Sequence, residues 1–189
     1  MITLGVIADT HVPDRTRALN PQIIPVFKQA GVGAILHAGD ACLPRVFAQL
    51  EAVAPVHAVR GNRDWFGFRD TPLAQVLTFE GVRIGLTHGH AGMRTYVYDK
   101  LSFLLMGPHT LRYFMHRALQ VLPEDIDVLV FGHNHVPMNF HLDGKLIFNP
   151  GSACCPGELI HDQPPSVGLL HIDGARVEGE IVELCDKKR

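Results

Sequence analysis

The chain has 189 residues, 47% of them hydrophobic and 19% charged, with a formal net charge of -2. That balance excludes wholesale disorder. It also leaves no global basic field that would hold nucleic acid by charge alone, so no sequence-specific nucleic-acid partner is expected. The 12 His are the one compositional surprise, because imidazole is both a common metal ligand and the usual acid–base group near neutral pH.

The first apolar run, Thr3–Ala8, predicts a buried strand and ends in Asp9-Thr10-His11. With no basic region before it and an acid by position nine, it does not read as a signal peptide. Pro21–Ala30 reads as a helix stopped by Gly31, and Ala34–His37 as a strand running into Gly39-Asp40. Pro44–Val53 is a second helical pattern, and Val56–Val59 a third strand, followed by Gly61-Asn62-Arg63-Asp64. This alternation implies parallel strands with right-handed crossovers. Ala74–Phe79 and Val82–Thr87 flank the turn pair Glu80-Gly81, and the second of them leads into His88-Gly89-His90. The segment 93–122 is aromatic-rich, helix-like and broken at Gly107-Pro108, so two helices are expected. Asp127–Phe131 is a strand before Gly132-His133-Asn134-His135. Asp143-Gly144 and Asp173-Gly174 mark two hairpins, Phe140–Leu142 with Lys145–Phe148 and Val167–Ile172 with Ala175–Val182. The expected architecture is α/β: two sheets, one mainly parallel and one mixed, with helices outside, in one domain spanning 1–189.

Cys42, Cys154, Cys155 and Cys185 show no CxxC spacing, and two of them are adjacent. That suits neither a zinc knuckle nor a disulfide framework and fits a reducing, cytoplasmic setting. The longest apolar stretches fall far short of the roughly 20 residues of a membrane span, so no membrane partner is expected.

Five strand ends thus carry Asp, Asn and His to one rim, where ligands of open α/β sheets bind. The donors are oxygen and nitrogen, with no thiolate, a set suited to Mn, Fe, Zn or a similar divalent ion. Two Asp, one Asn and four or five His exceed what one ion takes; two ions bridged by a carboxylate would use them all. Singly, Asp9 or Asp40 would read as a helix cap and Asn62 as a turn residue. Together they favour chelation.

The ordered set Asp-x-His, Gly-Asp, Gly-Asn-x-Asp, His-Gly-His and Gly-His-x-His resembles the calcineurin-like metallophosphoesterase superfamily, and in particular its small single-domain prokaryotic-type phosphodiesterase branch, as does Asn149-Pro150-Gly151-Ser152. The resemblance implies a four-layer α-β-β-α sandwich of two mixed β-sheets. It makes Asp9, His11 and His135 ligands of a first metal, Asp40 the bridging carboxylate, and Asn62, His88 and His133 ligands of a second. His90 would lie near the first metal, through its ring or its carbonyl. The implied activity is a metal-dependent phosphoric ester hydrolase, more a phosphodiesterase than a monoesterase. It would cleave a small phosphate ester by in-line attack of a metal-bridging hydroxide. The implied cofactors are two divalent ions, Mn2+ foremost, with Fe, Ni or Zn as alternatives. One departure stands out: Arg63 occupies the place where larger members of the family carry a leaving-group acid, and arginine does not release its proton. Arg63 is therefore expected to clamp phosphate, with Asp64 orienting Arg63 or Asn62. The superfamily also includes a retromer subunit that works as a non-catalytic, protein-binding scaffold, which is the alternative reading here.

The remaining histidines, His109 and His116 among them, are expected to serve packing or surface roles, and Cys154 and Cys155 to be a small buried residue and a loop thiol rather than a redox-sensitive pair. The 93–122 insert holds too many apolar groups for a free surface helix. It reads as a lid over the metals, a homo-oligomer interface or simple extra core, with lid and interface together preferred.

Overall fold

A computed structural model describes residues 1–107, 109–155 and 162–184. In chain order the elements are β1 (Ile2–Ile7), α1 (Ile23–Gln29), β2 (Ala34–His37), α2 (Arg45–Glu51), β3 (Val56–Ala58), β4 (Ala74–Phe79), β5 (Val82–Thr87), α3 (Met93–Met106), α4 (Leu111–Leu119), β6 (Val128–Val130), β7 (Met138–Leu142), β8 (Lys145–Asn149), β9 (Ser166–Asp173) and β10 (Arg176–Glu183).

The strands form two five-stranded sheets, ordered β10-β9-β1-β2-β3 and β4-β5-β6-β8-β7. In the first, β1, β2 and β3 are parallel, with Val6 opposite Leu36 and His37 opposite Ala58. The β9–β10 hairpin joins the other edge of β1 antiparallel. In the second, β5, β6 and β8 are parallel and the outer strands β4 and β7 antiparallel. Both sheets are therefore mixed. The expectation of one mainly parallel sheet fails because the last hairpin, distant in sequence, pairs with the first strand.

Burial on both faces explains the continuous apolar runs. Along β1, Leu4 and Val6 point into the layer between the sheets, where Ile84, Val128 and Phe148 meet them. Ile7 turns to the other face, against Ile23, Phe27 and Leu50 of α1 and α2. Gly5 sits under Phe27, whose ring leaves about 3.1 Å for any added Cβ. In β6, Val128 and Val130 face the intersheet layer, while Leu129 packs outward on Met115 and Ala118 of α4. The period of two along each strand thus produces the helix-sheet-sheet-helix stack.

The expected break in the insert falls at Gly107, which ends α3 with φ 89°. Thr110 caps α4 by accepting from the Tyr113 amide. His161 and Cys185 lie outside the described residues.

Candidate metal centre

The parallel strands deliver their carboxyl ends to one rim. Asp9 and His11 follow β1, Asp40 follows β2, Asn62 follows β3, His88 follows β5, and His133 and His135 follow β6. All but His133 are almost fully buried. Asp9, His11, Asp40, His133 and His135 have φ between 47° and 73°, a left-handed backbone that non-glycine residues seldom adopt. The remaining non-glycine positions of this kind among the described residues include Glu80 and Asp143, which serve ordinary hairpin turns. Strain gathered on one group of polar residues marks a functional site.

Two groups of donor atoms result. In one, His135 Nε2 lies 3.3 Å from Asp9 Oδ1 and 3.2 Å from His11 Nε2. In the other, His88 Nε2 lies 3.0 Å from Asn62 Oδ1, 3.2 Å from His133 Nδ1 and 3.5 Å from Asp40 Oδ1. Asp40 belongs to both, since its Oδ2 is 3.9 Å from His11 Nε2. The ligand atoms of Asp9, His11 and His135 lie within 4.8 Å of one another, as do those of Asp9, Asp40 and His88.

The surrounding chain fixes which atoms face inward. His88 Nδ1–H donates to the Ala38 carbonyl at 2.8 Å and His135 Nδ1–H to the Cys155 carbonyl at 3.1 Å, so both rings present Nε2. The Asp9 carboxylate accepts from the His133 amide through Oδ2. Close glycines make room: a Cβ on Gly61 would overlap Asp40 Oδ1, and one on Gly132 would come within 2.8 Å of Asp9 Oδ2.

The donor set fits divalent cations. Asp9 Oδ1 is buried and accepts no well-formed hydrogen bond; His135 Nε2 at 3.3 Å and His11 Nε2 at 3.7 Å face it, so its charge is met by a proton on those rings or by a cation that replaces it. Electrostatics point the same way. Burial disfavours charge on Asp9, but His135, His88 and His11 together keep it ionised far below the usual carboxylate range. Burial pushes Asp40 up to about 6, against the pull of His88. Burial also opposes a charged His135, yet Asp9 raises it to about 10. Burial outweighs Asp9 at His11 and lowers it to about 4. His133 is held well below its ordinary value by burial and by His88. A cluster in which histidines act as counter-charges to buried carboxylates is one that a dication can take over.

The other predicted site residues lie around these donors in different ways. Asp64 does not orient Arg63 or Asn62 through their side chains. Its Oδ2 accepts from the amides of Gly61 (2.7 Å) and Asp40 (3.0 Å), and its Oδ1 from that of Cys42 (2.7 Å). It fastens the loop after β3 to the loop after β2. The Arg63 amide donates to Asp40 Oδ1 at 2.8 Å, and its guanidinium reaches Asp14 at 3.3 Å on the wall of the cleft. His90 is buried behind His88, ring centroids 5.4 Å apart, outside both donor groups, with Nδ1 unpartnered. Burial and His88 lower it to about 3.

Sequence reading missed Asp14, whose carboxylate lies 3.6 Å from His11 Nδ1, on the outer side of that ring. Cys42 Sγ is also near, at 3.8 Å, but burial and then Asp40 push its thiol up to about 12, so it stays protonated. His109 was missed as well. It precedes α4, stacks on Tyr113 at 4.1 Å between ring centroids, and lines the cleft. That cleft, about 790 Å³ with its open mouth, runs from His11, Asp40 and His133 out to Tyr96, Phe103, His109 and Phe114 of the insert, with Arg15 and Arg63 beside the donors.

Residues 2–175 match the family model of the calcineurin-like phosphoesterase superfamily domain. The chain belongs to this family. A probable metallophosphoesterase of Methanothermobacter thermautotrophicus is 35% identical over 179 residues, covering 95% of this chain and 91% of that protein. Among solved structures, vacuolar protein sorting 29 from Cryptosporidium parvum superposes with a TM-score of 0.76 at 23% identity, over 99% of this chain and 93% of the other. Vacuolar protein sorting 29 from Entamoeba histolytica, solved with Zn2+, gives 0.70 at 26% identity, over 96% and 99%. The two mixed sheets with flanking helices are the metallophosphoesterase fold.

Proposed function

We propose that this member of the phosphoesterase family is a dinuclear metal-dependent phosphodiesterase. The observation that carries the reading is Asp40, whose two oxygens face different donor groups, beside the buried Asp9 Oδ1. Asp9, His11, His135 and Asp40 would hold one divalent ion, and Asp40, Asn62, His88 and His133 the other, Mn2+ foremost. Such a pair supplies Lewis acidity that activates water and neutralises charge on the phosphoryl oxygens. The chain's own residues do the rest. Arg63 and Arg15 border the donors and hold non-bridging phosphate oxygens by charge-assisted hydrogen bonds. Asp14 braces Arg63 and the outer edge of His11. Asp64 keeps Asp40 in place through its backbone amide, and Asn62 through the amide of the preceding Gly61. The aromatic wall of the insert covers one alcohol group of the ester and excludes water from it.

No imidazole stands where Arg63 is, so the leaving oxygen takes its proton from water. Esters with good leaving groups are therefore the better substrates.

A protein-binding scaffold is the second reading, favoured by the likeness to vacuolar protein sorting 29. Because one such protein was solved with Zn2+, metal binding does not separate the readings; turnover does. With Mn2+ added, hydrolysis of bis(p-nitrophenyl) phosphate well above that of p-nitrophenyl phosphate, abolished by chelator and restored by Mn2+, is the expected result. Monoester turnover alone would make the protein a phosphatase. No turnover of either would leave the scaffold.

A further inference from the structure

Helix α3 has two apolar faces. Tyr96 and Phe103 line the cleft, and Asp99, its lone acid, turns the same way to meet Tyr113 and, at 3.0 Å, Arg117 of α4. The opposite arc carries Met93, Val97, Leu101, Leu104 and Leu105, spaced as one helical face. These are bare: Val97 is 50% exposed, Leu101 56%, Leu104 79% and Leu105 82%. Asp99 is the only buried residue of the helix. A second bare pair stands near the same cleft: just beyond Arg63 on its wall come Trp65, 66% exposed, and Phe66, 82% exposed. Solvent alone does not account for so many bare apolar side chains around a binding cleft.

Charge says what covers it. On α3 the exposed charged residues are Arg94 and Lys100, and no acid accompanies them, because Asp99 is buried and paired. Arg94 lies within the apolar arc itself. Lys100 turns to the cleft, over Tyr96 and Phe103, so a second copy packed on this arc would meet Arg94 with its own Arg94 and bring no carboxylate from α3 to neutralise it, leaving a charge buried without a partner. Anionic headgroups supply that partner, and the acyl boundary beneath them takes Leu101, Leu104 and Leu105. Indole belongs at the same depth.

We propose that the outer face of α3, with Trp65 and Phe66, docks this protein on an anionic lipid surface. No helix among the described residues is long and apolar enough to cross a membrane; α3 would lie on the surface, about 21 Å long. The surface stands apart from the hydrolytic reading, since docking is read without turnover.

Trp65 is the chain's one tryptophan and reports docking directly. Full-length protein is mixed with vesicles of phosphatidylglycerol and, separately, of phosphatidylcholine, then followed by Trp65 emission and co-sedimentation. The expected result is a blue shift and sedimentation with phosphatidylglycerol vesicles, weakened by salt, and little of either with phosphatidylcholine. Leu101→Ser/Leu104→Ser/Leu105→Ser should cut binding by about tenfold or more, with its circular dichroism and Mn2+ binding unchanged. Arg94→Glu should weaken binding at low salt. Failure to bind anionic vesicles, or binding untouched by the leucine substitutions, overturns the proposal. So does a dimer in light scattering that those substitutions dissolve while vesicle binding is absent, which would assign the arc to a second copy.

Discussion

The rim of strand ends and the α3–α4 insert meet in one cleft, yet they are built in opposite ways. At the rim each donor is held by several independent constraints. Asp40 alone has its carboxylate bonded by the Arg63 amide, its own amide bonded to Asp64, and Gly61 pressed against it. In the insert, α4 packs Met115 and Ala118 on the sheet, but α3 buries only Asp99 and leans on the Tyr113 and Arg117 side chains. The rim has one arrangement available to it, whereas α3 is anchored by a few polar contacts. Chemistry that tolerates no misplacement sits on the first, and recognition that has to adapt sits on the second.

The sharpest way to break that contrast is to remove the shared ligand. Asp40→Ala should lower Mn2+-dependent diester turnover on the order of a thousandfold, since several kcal/mol of charge stabilisation go with it; steady-state kinetics at saturating Mn2+ measure this. Asp64→Asn tests whether fastening the two loops matters. One of three amides loses its acceptor, and Mn2+ affinity should fall about 10- to 100-fold with little change in substrate KM.

Acidification sharpens the contrast from the side of charge. A dication binds carboxylate and neutral imidazole. It therefore displaces the proton that His135 keeps up to about 10 and, below about 6, the one on Asp40 as well. Mn2+ affinity should drop as pH falls, by about tenfold per unit near neutrality and more steeply below 6; calorimetric titration at several pH values reads the slope. A flat profile would remove these two groups from the ligand set. The smallest effect belongs to the insert. Phe103→Ala should raise KM for an aryl diester about fivefold and leave kcat and Mn2+ affinity nearly unchanged, by the loss of apolar contact alone.

Much of this molecule was legible in its sequence because its central strands are buried on both faces. Runs such as Ala34–His37 and Val82–Thr87 correspond to strands without shift, and the polar residues directly after them had to lie at the sheet rim. The break at Gly107 was legible for a similarly local reason. What stayed hidden depends on contacts between distant segments. The β9–β10 hairpin looked like any other, and nothing near it said that it pairs with β1. Asp64 looked like a neighbour of Arg63, but two of its three amide partners lie 22 and 24 positions away. Asp14 and His109 carried no motif; only folding sets one behind His11 and the other in the cleft. The apolar excess of the insert was plain, but α3 is apolar on both sides, so periodicity did not tell the covered face from the bare one.

The central claim is that two dications share Asp40. The most direct measurement is metal stoichiometry after Mn2+ loading and desalting, by elemental analysis on wild type and Asp40→Ala. The account predicts close to two ions per chain in wild type and loss of both sites' tight binding in the variant. One ion or none in wild type, or two retained without Asp40, would contradict it.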